Sequence, residues 1–332
     1  SKMIMAGYEW SQARPFKNVY FTGIVRDKLG RKMSKQLGNS PDPLDLMAQY
    51  GADGVRVALM LCTSAGNDLM FDESLCEQGR NFCNKIWNAY RLLTGWEVDA
   101  TLVQSEHCKV AVEWFENTYR KAYKEIEEHF EAYRISDAMM ALYRLFWDDF
   151  SGWYLEMVKP AYGSPADAAT VEATKRFFER LLQMLHPFMP FVTEELWQHI
   201  AERKEGESIM LSLFEEHKPY DEKMLAEVDL AREVVSAVRN IRAQRNIPNK
   251  EKVALEVIAD ENYHPAYNCL VEKMANLSEI KVVEEKNPTA AAFIVKTTQY
   301  FVPMSENINV EEELEKMHKE LAYFEGFLRT VM

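Results

Sequence analysis

The sequence predicts a mainly α-helical chain. A helical bundle forms its middle, the tail of an α/β domain comes before it, and a small α/β module and a helical coil come after it. Three observations predict this. Apolar residues recur every three or four positions across long central stretches. Runs of β-branched and aromatic residues are confined to the flanks, near residues 18–25 and within 252–303. The last stretch places Val310, Leu314, Met317, Leu321, Phe324, Leu328 and Val331 at alternating spacings of 4 and 3, a heptad seam.

The elements follow in order. Met3 to Ala6 reads as the middle of a buried element, and Asn18 to Val25 as a strand. Asp27-Lys28-Leu29-Gly30 is a turn that delivers a lysine-bearing loop. Pro41 and Pro43 end that loop and open a helix over 44–50, because proline at a first helical turn loses no needed hydrogen bond. Gly51 breaks this helix, and Asp53 is placed to cap the next, over 54–62. Asp72 caps a long helix over 73–93, and further helices are predicted at 106–132, 135–160, 167–186, 190–203 and 222–246. Within 135–160 the positions Ile135, Met139, Leu142, Phe146, Phe150, Tyr154 and Val158 mark a bundle core. In the run from Leu185 to Trp197, Pro187 and Pro190 force a helix-to-helix corner. There Thr193 and Glu194 start the new helix, Trp197 packs back, and His186 reads as structural. After Pro248 come strands over 252–259, 279–284, 292–297 and 299–303, with a helix over 264–275. No chemistry is assigned to this module.

Composition bounds the class. With 332 residues, 47% hydrophobic and 27% charged, the chain has room for two or three folded domains. No apolar run approaches the ~20 residues that span a bilayer, and no basic-then-apolar leader opens the chain. Cys62, Cys76, Cys83, Cys108 and Cys269 form no CxxC pair and no metal spacing, so reduced thiols and a cytoplasmic setting are expected, with no metal ligands. A net charge of -13 argues against a nucleic-acid partner until charge is read locally. Arg14, Lys17, Arg26, Lys28, Arg31, Lys32 and Lys35, with Arg56 downstream, face a single acid, Asp27, within the 14–35 window. Arg239, Arg242, Arg245, Lys250 and Lys252 form a second basic cluster. Phosphate contacts feel the field within a Debye length of ~8–10 Å, so distant acids are screened.

The chemistry-bearing stretch is Gly30-Arg31-Lys32-Met33-Ser34-Lys35-Gln36-Leu37-Gly38-Asn39. Two ammonium groups on flexible stems, in a segment hinged by glycines, suit phosphates whose charge changes during a reaction. The chain holds no GxxxxGK[ST] phosphate loop and no GxGxxG fingerprint.

Together with the downstream run through Tyr50-Gly51-Ala52-Asp53 and Arg56, this stretch resembles the second signature loop, KMSKS, of the class I aminoacyl-tRNA synthetases. Lys32, Met33, Ser34 and Lys35 match it position by position, and Gln36 departs from its final serine. The corner from Leu185 to Trp197 resembles the helical anticodon-binding domain of the long-insert subgroup, specific for valine, isoleucine or leucine. A coiled coil following a small α/β module resembles the valine-specific members.

The resemblance implies the end of a nucleotide-binding catalytic domain at 1–40 and connecting helices at 41–72. It implies a helical anticodon-binding domain at 73–220, a long helix and α/β module at 221–305, and the start of a coiled coil at 306–332. It implies an enzyme that activates its amino acid with ATP, accompanied by Mg2+, and transfers it to a valine-isoaccepting tRNA. Lys32 and Lys35 would neutralise charge on the departing pyrophosphate, with Met33 and Ser34 shaping the loop. Asn39 and Asp53 are read as turn and cap residues. Arg80, Asn84, Lys85, Asn88 and Arg91, on an asparagine-rich helix, would contact tRNA.

The first class I signature, His-x-Gly-His, is absent around His107, His129, His186, His199, His217, His264 and His318. The chain is therefore expected to be a C-terminal piece of a longer, monomeric cytoplasmic enzyme, inactive alone and carrying no bound cofactor. Two alternatives stay open: a member of the isoleucine or leucine branch, and a non-enzymatic helical RNA- or protein-binding module.

Overall fold

The computed structural model describes residues 1–21, 23–62 and 67–303, so the predicted coil lies outside the described residues. The chain divides into two compact units, residues 1–226 and 227–332.

The first unit opens on α1 (Lys2–Trp10), a helix with no buried residue, which corrects the expectation of a buried element at 3–6. The strand expected over 18–25 is also corrected: only β1 (Val25–Asp27) forms, pairing in parallel with β2 (Leu69–Phe71). Asn18 to Phe21 has β propensity but no ladder partner among the described residues, and Phe21 stays 74% exposed. Helix α2 (Pro43–Tyr50) starts on an Asp42 cap, whose carboxylate accepts the Leu44 N–H at 2.8 Å. Helix α3 (Ala52–Cys62) follows the Gly51 break.

Helix α4 (Ser74–Thr94) crosses α3 where Gly54 meets Gly79. A Cβ on Gly79 would lie 2.2 Å from the Gly54 carbonyl oxygen, so both helices need hydrogen at this crossing. The bundle continues through β3 (Val98–Asp99), α5 (Glu106–Glu131) and α6 (Ile135–Arg144). A π-helical stretch, Leu145–Tyr154, then runs into α7 (Leu155–Val158). After β4 (Ala166–Asp167), which pairs with β3, come α8 (Ala168–Leu185) and α9 (Pro190–Ile200). Helix α9 starts at Pro190 rather than Thr193, proline at a first position costing no hydrogen bond.

Of the seven predicted core positions, Ile135 at the helix start is only half-buried, whereas six, Met139, Leu142, Phe146, Phe150, Tyr154 and Val158, are buried. Their rings stack in a ladder, Phe146–Phe150 at 5.4 Å and Phe150–Tyr154 at 5.6 Å, with Phe115 4.9 Å from both Tyr154 and Phe177. The single long α-helix expected over 135–160 is corrected to an α–π–α run ending at Val158. Four-residue steps overshoot a turn by ~40° on an α-helix and fall short by a similar angle on a π-helix, so residues 146, 150 and 154 lie on one broad face in either winding.

Helix α10 (Glu222–Gln244) carries the boundary between the two units. The second unit is a four-stranded sheet in the order β6-β5-β8-β7, with β5 (Val253–Ile258), β6 (Leu277–Val282), β7 (Ala291–Val295) and β8 (Thr298–Val302). Helix α11 (Asn268–Ala275) precedes β6, with a short 3-10 turn at 265–267 where the predicted helix began too early. Alternate residues of β5 are buried, as its sequence alternation predicts.

Candidate functional site

The lysine loop leaves β1 at Asp27 and is organised by two polar side chains. The Asp27 carboxylate accepts the backbone N–H of Leu29 (3.0 Å) and of Arg31 (2.9 Å), the Arg31 Nε–H (2.8 Å) and the Asn39 amide (3.0 Å). Asn39 in turn accepts the Ser34 N–H at 2.9 Å, and its amide lies 3.4 Å from the Lys32 carbonyl. These donors, the Asn39 amide foremost, hold the Asp27 carboxyl well below the usual carboxylate range. The Ser34 hydroxyl accepts the Gln36 N–H at 3.2 Å and caps a 3-10 turn, Lys35–Leu37, which Gly38 ends at a left-handed φ of 62°.

Met33 is the apolar anchor, packed against a cluster of Leu46, Val55, Ala58, Leu69, Phe71 and Cys76. Lys32 and Lys35, by contrast, are exposed. Arg31 and Arg26 take up the nearby carboxylates, Arg31 pairing with Asp27 at 2.7 Å and Arg26 with Asp68. The loop therefore presents two ammonium groups to solvent on a fixed backbone, an arrangement that fits polyphosphate.

One helix contacts both the lysine loop and the corner at 185–197. On α3, Val55 and Ala58 support Met33, while Asp53 and Arg56 grip the corner ahead of α9. Asp53, only 6% exposed, accepts the Val192 N–H at 2.7 Å and the Phe191 N–H at 3.4 Å. It thus caps α9 rather than its own helix, which corrects the local reading. Burial raises its pKa, an effect partly offset by those two N–H donors. Arg56 donates to the Phe188 carbonyl (2.9 Å) and the Pro187 carbonyl (3.0 Å). His186 Nδ1 lies 2.7 Å from the Thr193 hydroxyl, which itself donates to the Met189 carbonyl, and burial lowers the histidine's pKa. The arrangement supports a structural role for His186.

On α4, Arg80, Asn84, Asn88 and Arg91 are spaced 4, 4 and 3 apart and form one stripe. Asn84, Asn88 and Arg91 are exposed. Arg80 is half-buried over the Tyr50 ring at 5.5 Å and pairs with Glu77 at 3.6 Å. Lys85 falls off the stripe and lies over the Trp147 ring at 5.2 Å. The five predicted contacts are thus split, three facing solvent and two engaged with aromatic rings. The second basic cluster divides: Lys250 and Lys252 are exposed, while two of its arginines are tied to backbone carbonyls. Arg239 donates to the Met274 carbonyl at 2.9 Å, and Arg242, 3% exposed, donates to the carbonyls of Pro248 (3.1 Å) and Asn276 (2.9 Å). Sequence reasoning missed the organising role of Asp27 and underestimated Asn39; a lone acid in a basic window was the available signal.

The lysine loop thus sits beside the parallel pair of β1 and β2 and leads into the helical bundle. Residues 1–72 match the family described as tRNA synthetases class I (I, L, M and V), and residues 112–259 match the anticodon-binding domain of tRNA ligase. The chain belongs to the class I aminoacyl-tRNA synthetases. It is 57% identical along its whole length to a valine–tRNA ligase of Parabacteroides distasonis and 50% identical to that of Christiangramia forsetii. It is 36% identical, over 96% of the chain, to that of Bacillus cereus. The chain spans 38% of the length of each of these relatives. A ternary LeuRS–tRNA–LeuAMS complex of Agrobacterium radiobacter K84 aligns with 68% of this chain and 27% of its own, at 22% identity and a TM-score of 0.47. The α4 stripe falls between the two matched stretches.

Proposed function

We propose that this chain is the part of a valine–tRNA ligase that brings the lysine loop to ATP and offers a helical surface to the valine tRNA. The observation that carries the reading is the loop itself: Met33 anchored in the apolar cluster, with Lys32 and Lys35 exposed on either side of it. In the whole enzyme the valine carboxylate attacks the α-phosphorus of ATP. Negative charge grows on the departing pyrophosphate, and valyl-adenylate forms. Lys32 and Lys35 neutralise that charge, each preorganised cation stabilising the transition state by about 3–4 kcal/mol. Lys35 is the stronger candidate for direct contact. Transfer to tRNA then gives valyl-tRNA and AMP.

The adenylate step uses ATP accompanied by Mg2+. Among the described residues no group of three or more His, Cys, Asp or Glu side chains is placed to hold a metal ion. The exposed apolar side chains Met5, Trp10 and Phe21 support contact with a neighbouring catalytic domain. The domain division given above, a cytoplasmic location and a monomeric enzyme belong to the same reading. Among the described residues no helix is long and apolar enough to cross a membrane.

Asn84, Asn88 and Arg91 face solvent on one stripe, with Arg80 continuing it, and we assign this stripe to tRNA contact. Binding of this chain to valine and isoleucine tRNAs across salt concentrations tests the surface. Selective, salt-sensitive binding of the valine species, weakened by replacing Arg91 and Asn84, is expected. Equal binding of both tRNAs, or binding indifferent to those replacements, removes the assignment.

A further inference from the structure

The lysine loop needs two properties that oppose each other. Its ammonium groups must stay free for phosphate, yet its backbone must be ordered before phosphate arrives. Within residues 23–39 the one carboxylate is Asp27. It is fully engaged elsewhere. One oxygen accepts the Leu29 and Arg31 N–H groups, and the other accepts the Arg31 Nε–H and the Asn39 amide. Asn39 then reaches back to the Ser34 N–H and to the Lys32 carbonyl, so its single side chain touches the loop on both sides of Met33. Backbone hydrogen bonds also order the loop: the Asp27 N–H donates to the Arg31 carbonyl (3.0 Å) and the Gly30 N–H to the Asp27 carbonyl (2.8 Å), a 3-10 turn follows Ser34, and a bridge joins Arg26 and Lys32. Apolar burial cannot order the loop alone, since Leu29 and Leu37 are exposed and only Met33 is packed.

We propose that Asp27 and Asn39 form a clasp that fixes the backbone around Lys32 and Lys35 and keeps both ammonium groups free for the triphosphate, making these two residues positioning residues for adenylate formation. The proposal rests on the reading of this loop as the ATP-facing loop of a valine–tRNA ligase. The clasp is not a proton switch: its hydrogen bonds hold Asp27 ionised across the working pH range. Its chemistry is directional. A carboxylate at 27 and an amide at 39 are complementary; two carboxylates repel, and two amides lose the ion pair with Arg31.

The test uses the full-length ligase that carries this chain, with Asp27→Asn, Asn39→Asp and the exchanged pair Asp27→Asn/Asn39→Asp, and Asn39→Ser as a milder variant. Adenylate formation at saturating ATP and valine is measured beside the KM for valine, tRNA affinity and Tm. Each single variant is expected to slow adenylate formation by on the order of 100-fold, the effect of misplacing a reacting group by about 1 Å. Asn39→Asp should be the slowest, and Asn39→Ser milder. The exchanged pair, which restores one carboxylate facing one amide but not the ion pair with Arg31, should regain roughly 10-fold over Asn39→Asp without reaching wild type. The KM for valine and tRNA affinity should stay near wild type. Single variants at the wild-type rate, an exchanged pair no faster than Asn39→Asp, or losses that fall equally on rate, tRNA affinity and Tm each overturn the clasp. Lys35→Ala separates the two levels of the argument. If it leaves adenylate formation intact, the loop reading fails and the clasp with it; if it slows the step while the clasp variants do not, the clasp alone fails.

Discussion

The lysine loop and the aromatic ladder are built on opposite principles within one unit. The ladder over residues 146–154 is held by many weak, non-directional contacts, with Phe146, Phe150 and Tyr154 wholly buried. The loop over 27–39 is held by a handful of directional hydrogen bonds from Asp27 and Asn39, and its charged tips lie in solvent. A core of the first kind is specified by pattern and tolerates neighbours of similar volume. A loop of the second kind is specified one residue at a time. Substitutions in the two regions should therefore separate stability from chemistry.

The largest separation is expected from Phe150→Ala. It removes a ring packed on Phe115, Phe146, Tyr154 and Phe178, and should cost about 3–5 kcal/mol in chemical denaturation. Lys32→Ala should leave the denaturation midpoint unchanged; a matching loss of stability there would break the comparison. Next comes Gly79→Ala, whose methyl group has no room against Gly54 and should cost about 1–3 kcal/mol through forced separation of α3 and α4. Asp53→Ala leaves the buried N–H of Val192 and the part-buried N–H of Phe191 without their acceptor, an expected loss of about 1–3 kcal/mol by the same measurement.

The smallest effect is pH-dependent. Burial depresses the pKa of His186, so the folded state binds fewer protons there than the unfolded chain. Its contribution to stability is present above the ordinary histidine value of about 6.5 and is lost as pH falls through the depressed one. His186→Asn should flatten the acid side of a Tm–pH profile by a degree or two, ~0.5 kcal/mol or less. An unchanged slope would show that another group sets it.

Legibility in the sequence follows the same division. The spacing of Met139, Leu142, Phe146, Phe150 and Tyr154 marked the bundle face directly, because burial of one helical face imposes a period on the chain. Steps of four residues fit α and π winding alike, so the π stretch left no separate mark. The β-branched run at 18–25 displayed propensity, but a strand also needs a partner, and only Val25–Asp27 meets Leu69–Phe71. Asp53 was read as a cap by local rules, whereas the helix it caps lies 139 residues away and no local signal encodes that pairing. At the candidate site, Lys32 and Lys35 were visible through the resemblance of their run to the KMSKS signature, since two lysines in a glycine-bounded loop are otherwise an ordinary solvated turn. The clasp was not, since its two members stand twelve positions apart and meet through the turns at Gly30 and Gly38. The split of the α4 stripe was hidden for a related reason: Lys85 is turned aside by Trp147, a ring from another helix.

The central claim is that the two ammonium groups act on the triphosphate and on nothing else. Single-turnover formation of valyl-adenylate by the full-length ligase carrying Lys35→Ala tests it most directly. A rate lowered by roughly 100- to 1000-fold, with tRNA affinity and Tm unchanged, is the predicted result. An adenylate rate equal to wild type, or a loss confined to tRNA binding, would contradict the account.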